Sequence, residues 1–295
     1  MTDPPSAVAI APALWLVDKP AGPTSHDVVA AVRRGLPRKT KVGHAGTLDP
    51  FATGLLLVMV GRATRLAPYL TGLDKTYRAT LRTGATSASG DPEGPITRTG
   101  DPSTAAAVAQ VLPSFLGVQR QRVPALSAVR VDGERLYARA RRGEELDDLP
   151  EREVVIHDLR VVDDHGDGRV SVEARCGSGT YMRSLAADIG ERLGCGAYCE
   201  ALRRTAIGTL RVEDAVAPDE VGERGGLAPL AGLVHLPVRE LSGEETARVL
   251  HGNAVEDVDG LDGAVALVSD GRLVAVATAS GTGALRPGVV LEDPR

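Results

Sequence analysis

A polar loop at 41–50 carries the residue types most suited to chemistry, and it lies directly in front of an apolar run at 55–60. The apolar run is short enough to be a fully buried strand, so the loop is expected to lie against the core. Two glycines in the loop permit a tight turn or close approach to a ligand. Asp49 precedes a proline, which favours an extended backbone and holds its carboxylate in one direction. Such a carboxylate suits a catalytic acid, base or nucleophile.

A second chemical position is Arg183, which follows a glycine-rich turn and falls in the first turn of a helix predicted over 180–193. The helix dipole disfavours a cation at this end, and a nearby carboxylate would compensate for it. An arginine beside an aspartate lowers the pKa of the aspartate. We therefore expect Arg183 to keep Asp49 ionised, the alternative being a surface arginine on a solvated helix. Tyr77, in a predicted strand, could stack on a planar ligand or fill a strand face.

The sequence lacks the residue patterns of metal centres, phosphate-binding loops, serine hydrolases and disulfide frameworks. A metal centre needs three or more converging ligands, and the loop offers only His44 and Asp49. The chain has no glycine-rich phosphate motif and no Gly-x-Ser-x-Gly elbow. Its three cysteines are too few for a disulfide framework or a four-cysteine zinc site. The pattern indicates a single carboxylate that acts without metal or cofactor as nucleophile or acid/base.

The formal net charge of −5 over 295 residues conceals an uneven distribution. Residues 212–295 contain 15 acidic and 6 basic side chains, whereas residues 1–211 contain 24 acidic and 28 basic ones. Seven arginines fall within 119–142. This basic segment could clasp a phosphate backbone or form a solvated hairpin. The chain shows no convincing signal peptide and no apolar run long enough to span a membrane, so we expect a cytoplasmic protein.

The pattern along the chain predicts a mixed arrangement of strands and helices. We expect a strand at 14–17, a helix from residue 25 with a capping box at its start, and a short helix at 61–70 ended by Pro68. A further helix is expected at 104–116, and a hairpin from 154–162 and 170–176. The domain boundaries are predicted as follows: a catalytic domain at 1–212 with a basic insertion at about 120–152, a linker at 213–234, and a small β-rich domain at 235–295.

Seven ordered stretches between about residues 14 and 210 resemble the TruB family of pseudouridine synthases. They are 16–25, 43–54, 74–77, 84–94, 124–129, 179–183 and 201–205. The resemblance implies an α+β fold, with a mixed, largely antiparallel sheet flanked by helices and a small C-terminal PUA-like domain. It implies a bacterial enzyme that converts the T-loop uridine at position 55 of tRNA to pseudouridine by base flipping, and an insertion at about 120–152 that grips RNA.

The same resemblance assigns roles position by position. Asp49 matches the catalytic aspartate, and Arg183 matches the arginine paired with it. Tyr77 matches the tyrosine that stacks on the flipped base, and it is a candidate to remove the C5 proton. The remaining matches are His44 beside the displaced T-loop, Tyr181 and Leu202 lining the nucleotide pocket, and Lys19 supporting the site. The resemblance implies the T-arm stem-loop of tRNA as partner. From the residue pattern described above we expect no metal, no cofactor and no membrane, and we take a monomer as the default.

Two other readings stay open at the level of sequence. The first is a non-catalytic tRNA-binding or tRNA-folding protein that uses the same pocket. Asp49 argues against it, because a carboxylate facing anionic RNA weakens binding. The second is a guide-RNA-dependent relative, which is disfavoured because the chain carries its own insertion at about 120–152. The sequence does not choose whether Asp49 attacks C1′ of the ribose, attacks C6 of the base, or abstracts a sugar proton.

Overall fold

The computed structural model describes residues 10–124, 149–221, 225–279 and 283–292, together with 127, 130–131, 134–135, 142, 144 and 281 between these ranges. Most of the predicted insertion at about 120–152 lies outside the described residues. The helices are α1 (Ser25–Arg34), α2 (Ala67–Thr71), α3 (Ala105–Val111), α4 (Met182–Leu193) and α5 (Gly243–Leu250). Short 3₁₀ segments lie at Gly61–Leu66, Leu112–Phe115, Val212–Asp214 and Pro229–Gly232.

Strands make up most of the regular structure. The first group is β1 (Ala13–Lys19), β2 (Val42–Ala45), β3 (Thr53–Val60), β4 (Lys75–Thr83), β5 (Ala85–Ser87), β6 (Ile96–Arg98), β7 (Gly117–Arg122), β8 (Arg130–Val131) and β9 (Glu134–Arg135). The second is β10 (Glu151–Asp164), β11 (Arg169–Cys176), β12 (Ala197–Ile207), β13 (Leu210–Arg211), β14 (Val238–Glu240), β15 (Val255–Glu256), β16 (Ala264–Ser269), β17 (Arg272–Ala279) and β18 (Ala284–Val290).

A nine-stranded sheet forms the centre of the molecule, with β1-β3-β12-β4-β11-β10-β7 as its main path, β2 paired to β3 and β13 to β12. Every pair is antiparallel except β3 with β12. That parallel contact is short, joining Arg203 to Thr53 and Arg204 to Gly54. The predicted fold class, a mixed and largely antiparallel sheet with flanking helices, is confirmed.

Apolar side chains attach the helices to one face of this sheet. Val108 of α3 and Leu185 and Ile189 of α4 pack in one cluster with residues from β4, β10 and β11. Helix α1 begins as predicted, because the Thr24 hydroxyl accepts from the Asp27 N–H at 3.1 Å while the Asp27 carboxylate accepts from the Thr24 N–H at 2.9 Å. The capping box starts α1 and the apolar cluster holds α4, and both helices adjoin the loop between β2 and β3. The loop predicted at 41–50 is therefore shorter than expected, because Val42–Ala45 forms β2.

A second sheet, β14-β16-β17-β18-β15, makes up the C-terminal β domain together with α5. Its β16 and β17 share an apolar cluster with β1 and β3 of the large sheet, so the two sheets are packed against each other. The segment predicted as a linker, 213–234, lies along β1 through bridges from Leu14 to Leu227 and from Val17 to Val216. The boundaries at 212 and 235 and the PUA-like assignment stay predictions.

One local prediction is wrong and another is confirmed only in part. Pro68 does not end a helix: it lies in the first turn of α2, where its missing N–H has no partner to lose. The helix expected at 104–116 is α3 followed by a 3₁₀ turn at Leu112–Phe115, in which Pro113 occupies the start. Among the described residues, no helix is both long and apolar enough to cross a membrane.

Candidate active site

A cavity of about 520 Å³ opens where four distant segments of the chain meet. The loop between β2 and β3 contributes Asp49, β4 contributes Tyr77, β12 contributes Leu202 and Arg204, and the start of α4 contributes Tyr181 and Arg183. The sequence-predicted residues Asp49, Tyr77, Tyr181, Arg183 and Leu202 therefore line one cavity. The sheet order explains the meeting, because β12 lies between β3 and β4.

The backbone on both sides of Asp49 is held by buried polar side chains. On one side, the Ser25 hydroxyl accepts from the Leu48 N–H at 2.8 Å and donates to the Leu48 carbonyl at 3.1 Å. On the other, the Lys19 Nζ donates to the carbonyls of Pro50 at 3.1 Å and Ala52 at 2.7 Å. A loop tied on both sides holds the carboxylate in a fixed position, which is the pre-organisation that catalysis requires.

Arg183 contacts two carboxylates from its position in the first turn of α4. Its Nε lies 2.9 Å from Asp49 Oδ2, and its Nη2 donates to Asp49 Oδ1 at 3.2 Å, a two-point contact. Its Nη1 lies 3.3 Å from Asp91 Oδ2 and donates to the Ser89 carbonyl at 2.9 Å. Arg183 and Asp91 are almost fully buried, whereas the Asp49 side chain is 34% exposed. The arrangement leaves Asp49 as the carboxylate that a ligand in the cavity can reach.

The pKa of Asp49 is raised above the ordinary carboxyl value, because burial outweighs the opposing charge of Arg183. The Asp91 carboxylate raises it further. As the sequence predicted, the charge of Arg183 by itself lowers the pKa of Asp49. The net pKa of Asp49 is nevertheless raised, because burial has the larger effect. A carboxylate that is both desolvated and oriented is a stronger nucleophile or base than one exposed to water.

Tyr77 and Arg204 are directly opposite each other on β4 and β12. Opposite residues of an antiparallel pair project from the same face, so both side chains point into the cavity with Leu202 two residues earlier. Burial raises the pKa of Tyr77, and the positive charge of the Arg204 guanidinium opposes that rise. Tyr77 is 8% exposed and lines the cavity.

Tyr181 is held at its backbone by the strand that leads into the predicted insertion. The buried Gln121 of β7 accepts from the Tyr181 N–H at 2.9 Å and donates to the Tyr181 carbonyl at 3.3 Å. The Arg152 guanidinium of β10 lies 5.6 Å from the centre of the Tyr181 ring, a cation–π contact. The base of the insertion is thus in direct contact with the cavity.

His44 and Lys19 have different surroundings from the other predicted site residues. Neither belongs to the described residues that line the cavity. His44 is half-buried on β2, and burial lowers its pKa, so it is neutral at pH 7. Lys19 is fully buried, burial lowers its pKa to about 8, and its three hydrogen bonds all go to loop carbonyls. Lys19 has the geometry of a support for the loop, and the RNA-facing role of His44 stays a prediction.

Sequence reasoning did not assign roles to Asp91 and Arg204, although both fall in stretches that carried the resemblance. Arg204 carries a detectable signal, since it alternates with Leu202 and Ala206 on the buried face of β12. A cation on such a face needs a specific partner. Asp91 gives no comparable signal, because its loop at 84–94 is polar throughout. Among the described residues, no group of three or more His, Cys, Asp or Glu could hold a metal ion.

The pairing of Asp49 with Arg183 beside the buried Tyr77, on a largely antiparallel sheet, agrees with the class of pseudouridine synthases that the seven sequence stretches indicated. The family model described as the TruB family pseudouridylate synthase N-terminal domain matches residues 33–182. A second, described as the tRNA pseudouridylate synthase B C-terminal domain, matches residues 183–224. The chain belongs to the TruB family.

Relatives and solved structures agree with this assignment. The chain is 46% identical over 287 residues to tRNA pseudouridine synthase B of Thermobifida fusca (strain YX), covering 93% of this chain and 97% of the relative. It is 44% identical over 296 residues to tRNA pseudouridine synthase B of Synechococcus sp. (strain WH7803), covering 94% and 96%. A chain of an H/ACA RNP bound to a substrate RNA containing 2′-deoxyuridine matches with a TM-score of 0.73 at 25% identity, covering 96% and 86%. A chain of a Cbf5-Nop10-Gar1 complex matches with a TM-score of 0.73 at 27% identity, covering 96% and 85%.

Proposed function

We propose that this TruB-family enzyme isomerises the T-loop uridine at position 55 of tRNA to pseudouridine. The observation that carries the proposal is the two-point contact of Arg183 with Asp49 at a cavity bordered by Tyr77. The wider activity, isomerisation of uridine in tRNA, is supported by the tRNA pseudouridine synthase B relatives at 40–46% identity. The T-loop position rests on the seven stretches of sequence described above.

The substrate base must leave its stack to reach Asp49, because the carboxylate is recessed beside a buried arginine. Flipping costs a few kcal/mol, which stacking on Tyr77 and contact with Tyr181 and Leu202 offset. His44 is proposed to support the space that the base vacates. Recognition by loop shape is expected to dominate, because single-stranded loops are the usual targets of specific RNA binding.

The reaction is an isomerisation in which atoms balance within the nucleotide. The N1–C1′ bond breaks, a C5–C1′ bond forms, the C5 proton leaves and N1 gains a proton. Asp49 starts the reaction by attack on C1′ or C6 or by removal of a sugar proton. Arg183 holds the aspartate in its ionised and oriented form. Tyr77, which lines the same cavity, is the proposed acceptor of the C5 proton once its own phenolic proton has passed to solvent, and the electrons of the C5–H bond restore the C5=C6 double bond.

The proposal includes the T-arm stem-loop as the bound portion of tRNA, action as a monomer in the cytoplasm, and no requirement for metal or cofactor. Arg120 and Arg122 of β7 and Arg152 of β10 lie at the base of the predicted insertion, where phosphates would pass. A non-catalytic tRNA-folding protein with the same pocket is the second candidate. The raised pKa of Asp49 and its oriented contact with Arg183 favour catalysis, since binding alone gains nothing from a desolvated carboxylate.

The test is pseudouridine formation on an unmodified T-arm stem-loop RNA, mapped by nucleotide position, with no metal added. Asp49→Asn is expected to reduce single-turnover formation to the level of background while RNA affinity stays within about threefold, because the amide keeps the shape but loses the charge. Asp101→Asn, a change at a 96% exposed aspartate, is the matched control and should be indistinguishable from wild type. Pseudouridine formed by the Asp49 variant, or modification at another position of the loop, would contradict the proposal.

A further inference from the structure

We propose that Arg152 and Ser127 form a subsite that binds a phosphodiester group next to the flipped nucleotide. The inference rests on the proposed function, because it requires an RNA strand to enter the cavity that contains Asp49. It deepens that function by naming the residues that hold the backbone of the strand. The observations that carry it are two hydrogen-bond donors at the cavity that have no acceptor among the described residues.

The described side chains that line the cavity carry an excess of positive charge. They include one carboxylate, that of Asp49, and four cations, which are Lys75, Arg152, Arg183 and Arg204. A concave surface with this balance of charge attracts an anionic ligand. The phosphodiester groups of RNA are the anions that accompany a nucleotide into such a cavity.

Three of the four cations already bind acceptors of the protein itself. Arg183 contacts two carboxylates, as described above. Arg204 donates to two main-chain carbonyls at 2.7 and 3.0 Å, and Lys75 donates to two main-chain carbonyls at and just after the end of α2. Within the described part of the chain, Arg152 forms neither an ion pair nor a hydrogen bond, and its one contact of this kind is with an aromatic ring. Its N–H groups are therefore the ones that a ligand can use.

The Arg152 guanidinium is positioned by an aromatic ring and by a glycine. The centre of the Tyr181 ring lies 5.6 Å from its Cζ atom. A Cβ atom at Gly179 would lie 2.9 Å from Arg152 Nη1, so the glycine leaves room for the guanidinium beside the turn that precedes α4. Arg152 is also the register partner of Gln121, whose side chain holds the Tyr181 backbone. An arginine that is positioned before binding loses less conformational freedom when a phosphate arrives.

Ser127 supplies the second donor. Its side chain lines the same cavity and the residue is 6% exposed. Its Oγ is buried and has no hydrogen-bond partner among the described residues. A buried hydroxyl without a partner is destabilising, and native proteins retain few of them. A ligand that brings an acceptor into the cavity satisfies this hydroxyl.

A guanidinium and a hydroxyl that both donate select a ligand group that accepts. Arginine has five N–H donors and no acceptor, and it binds phosphate oxygens through two parallel hydrogen bonds. In the proposed reaction, the uracil of the flipped nucleotide occupies the space next to Asp49 and Tyr77. The diesters that flank this nucleotide are therefore the acceptors left for Arg152 and Ser127.

The first test measures affinity for pairs of T-arm stem-loop RNAs, in the Asp49→Asn protein so that the uridine is not consumed. Within a pair, one RNA has an ordinary diester next to the uridine and the other has a neutral methylphosphonate there. Both carry a 2′-O-methyl group on the nucleotide that precedes this position, which prevents strand cleavage. One pair changes the diester on the 5′ side of the uridine, and the other pair changes the diester on the 3′ side.

In one of the two pairs, the neutral group is expected to weaken binding about tenfold when Arg152 is present, because a hydrogen bond to a charged group is lost. In Arg152→Leu, the same replacement is expected to weaken binding less than about threefold, since the partner of the phosphate is already gone. Equal affinity within both pairs overturns the proposal. A loss in Arg152→Leu as large as that with Arg152 present overturns it as well, because the phosphate then has another partner.

The second test uses the salt dependence of binding to the unmodified RNA. Arg152→Leu is expected to weaken binding about 10–10²-fold and to lower the slope of log affinity against log salt by about 0.7, the contribution of one phosphate on a single strand. Ser127→Ala is expected to weaken binding about 3–10-fold with the slope unchanged, because a hydroxyl carries no charge. The control is Arg160→Leu, a 60% exposed arginine of the same strand that pairs with Glu173, and it should change neither quantity. An unchanged slope in Arg152→Leu, or unchanged affinity in Ser127→Ala, overturns the proposal.

The outcomes separate this subsite from the proposed function. If wild type forms no pseudouridine while the two variants lose affinity as expected, the proposed function fails and the subsite stands. If pseudouridine forms while Arg152→Leu and Ser127→Ala bind the RNA like wild type, the subsite fails and the proposed function stands. A wild-type protein that does not bind the T-arm stem-loop overturns both.

Discussion

Replacement of Arg183 by lysine tests the electrostatics of the site most directly. The guanidinium meets four oxygens: both Asp49 carboxylate oxygens, Asp91 Oδ2 and the Ser89 carbonyl. A lysine ammonium can keep about two of these contacts. Each hydrogen bond to a charged group contributes about 1.5–3 kcal/mol, so the loss is about 3–6 kcal/mol, shared between stability and the reaction. If half of it falls on the reaction, single-turnover pseudouridine formation slows by about 10–10²-fold.

The pH dependence separates a mispositioned carboxylate from a protein that is merely less stable. Burial already raises the pKa of Asp49, and Arg183 is the largest opposing influence. A weaker contact lets the pKa rise further, so less Asp49 is ionised at a given low pH. The acidic limb of the rate profile should therefore move to higher pH, and the deficit should be smaller at high pH. Arg192→Lys, at the exposed end of α4, is the control. A wild-type rate with an unmoved acidic limb in Arg183→Lys refutes the reasoning.

Two further substitutions test the supports of the site. Lys19→Met should lower the free energy of unfolding in urea by about 2–4 kcal/mol, since three loop carbonyls lose their donor, whereas Lys41→Met at an exposed position should change little. The pKa of Lys19 falls from 10.5 to about 8 on folding, so the unfolded chain binds more protons than the folded one between these pH values. The stability of wild type relative to Lys19→Met should therefore rise with pH in that range, and a constant difference would argue against the lowered pKa of Lys19. Gln121→Leu should slow turnover at least about tenfold, because the Tyr181 backbone loses both of its hydrogen bonds to the Gln121 side chain. The control Gln119→Leu should change turnover little. Equal rates for the two variants would show that these hydrogen bonds do not matter for the reaction.

Local rules predicted much of the fold. The capping box at Thr24, the hairpin of β10 and β11, and the stop of α4 at Gly194 are all set by short-range preferences. Pro68 shows where such rules fail, because a proline begins a helix as readily as it ends one, and the neighbouring turns decide which. The parallel contact of β3 with β12 has no local signal, since it joins residues about 150 apart in the chain.

The chemistry of the site was partly readable for a related reason. Asp49 and Arg183 stand out because each breaks a local preference, one as a polar group beside the core and the other as a cation at a helix start. The distance of 2.9 Å between Arg183 Nε and Asp49 Oδ2 depends on tertiary packing, which no spacing in the sequence encodes. Asp91 was missed because its importance comes only from facing Arg183 at 3.3 Å. The net rise in the pKa of Asp49 likewise depends on how deeply its carboxylate is buried, which only the three-dimensional structure reveals.

The position of β12 between β3 and β4 also constrains when the enzyme becomes complete during synthesis. The two earlier strands are neighbours in sequence but cannot join in the sheet until residues 197–207 are available to fill the gap between them. Contacts of this separation close late and slow the folding of a domain. We therefore expect Asp49 and Tyr77 to come together only after residues 197–207 have left the ribosome, so that the site is completed late in synthesis.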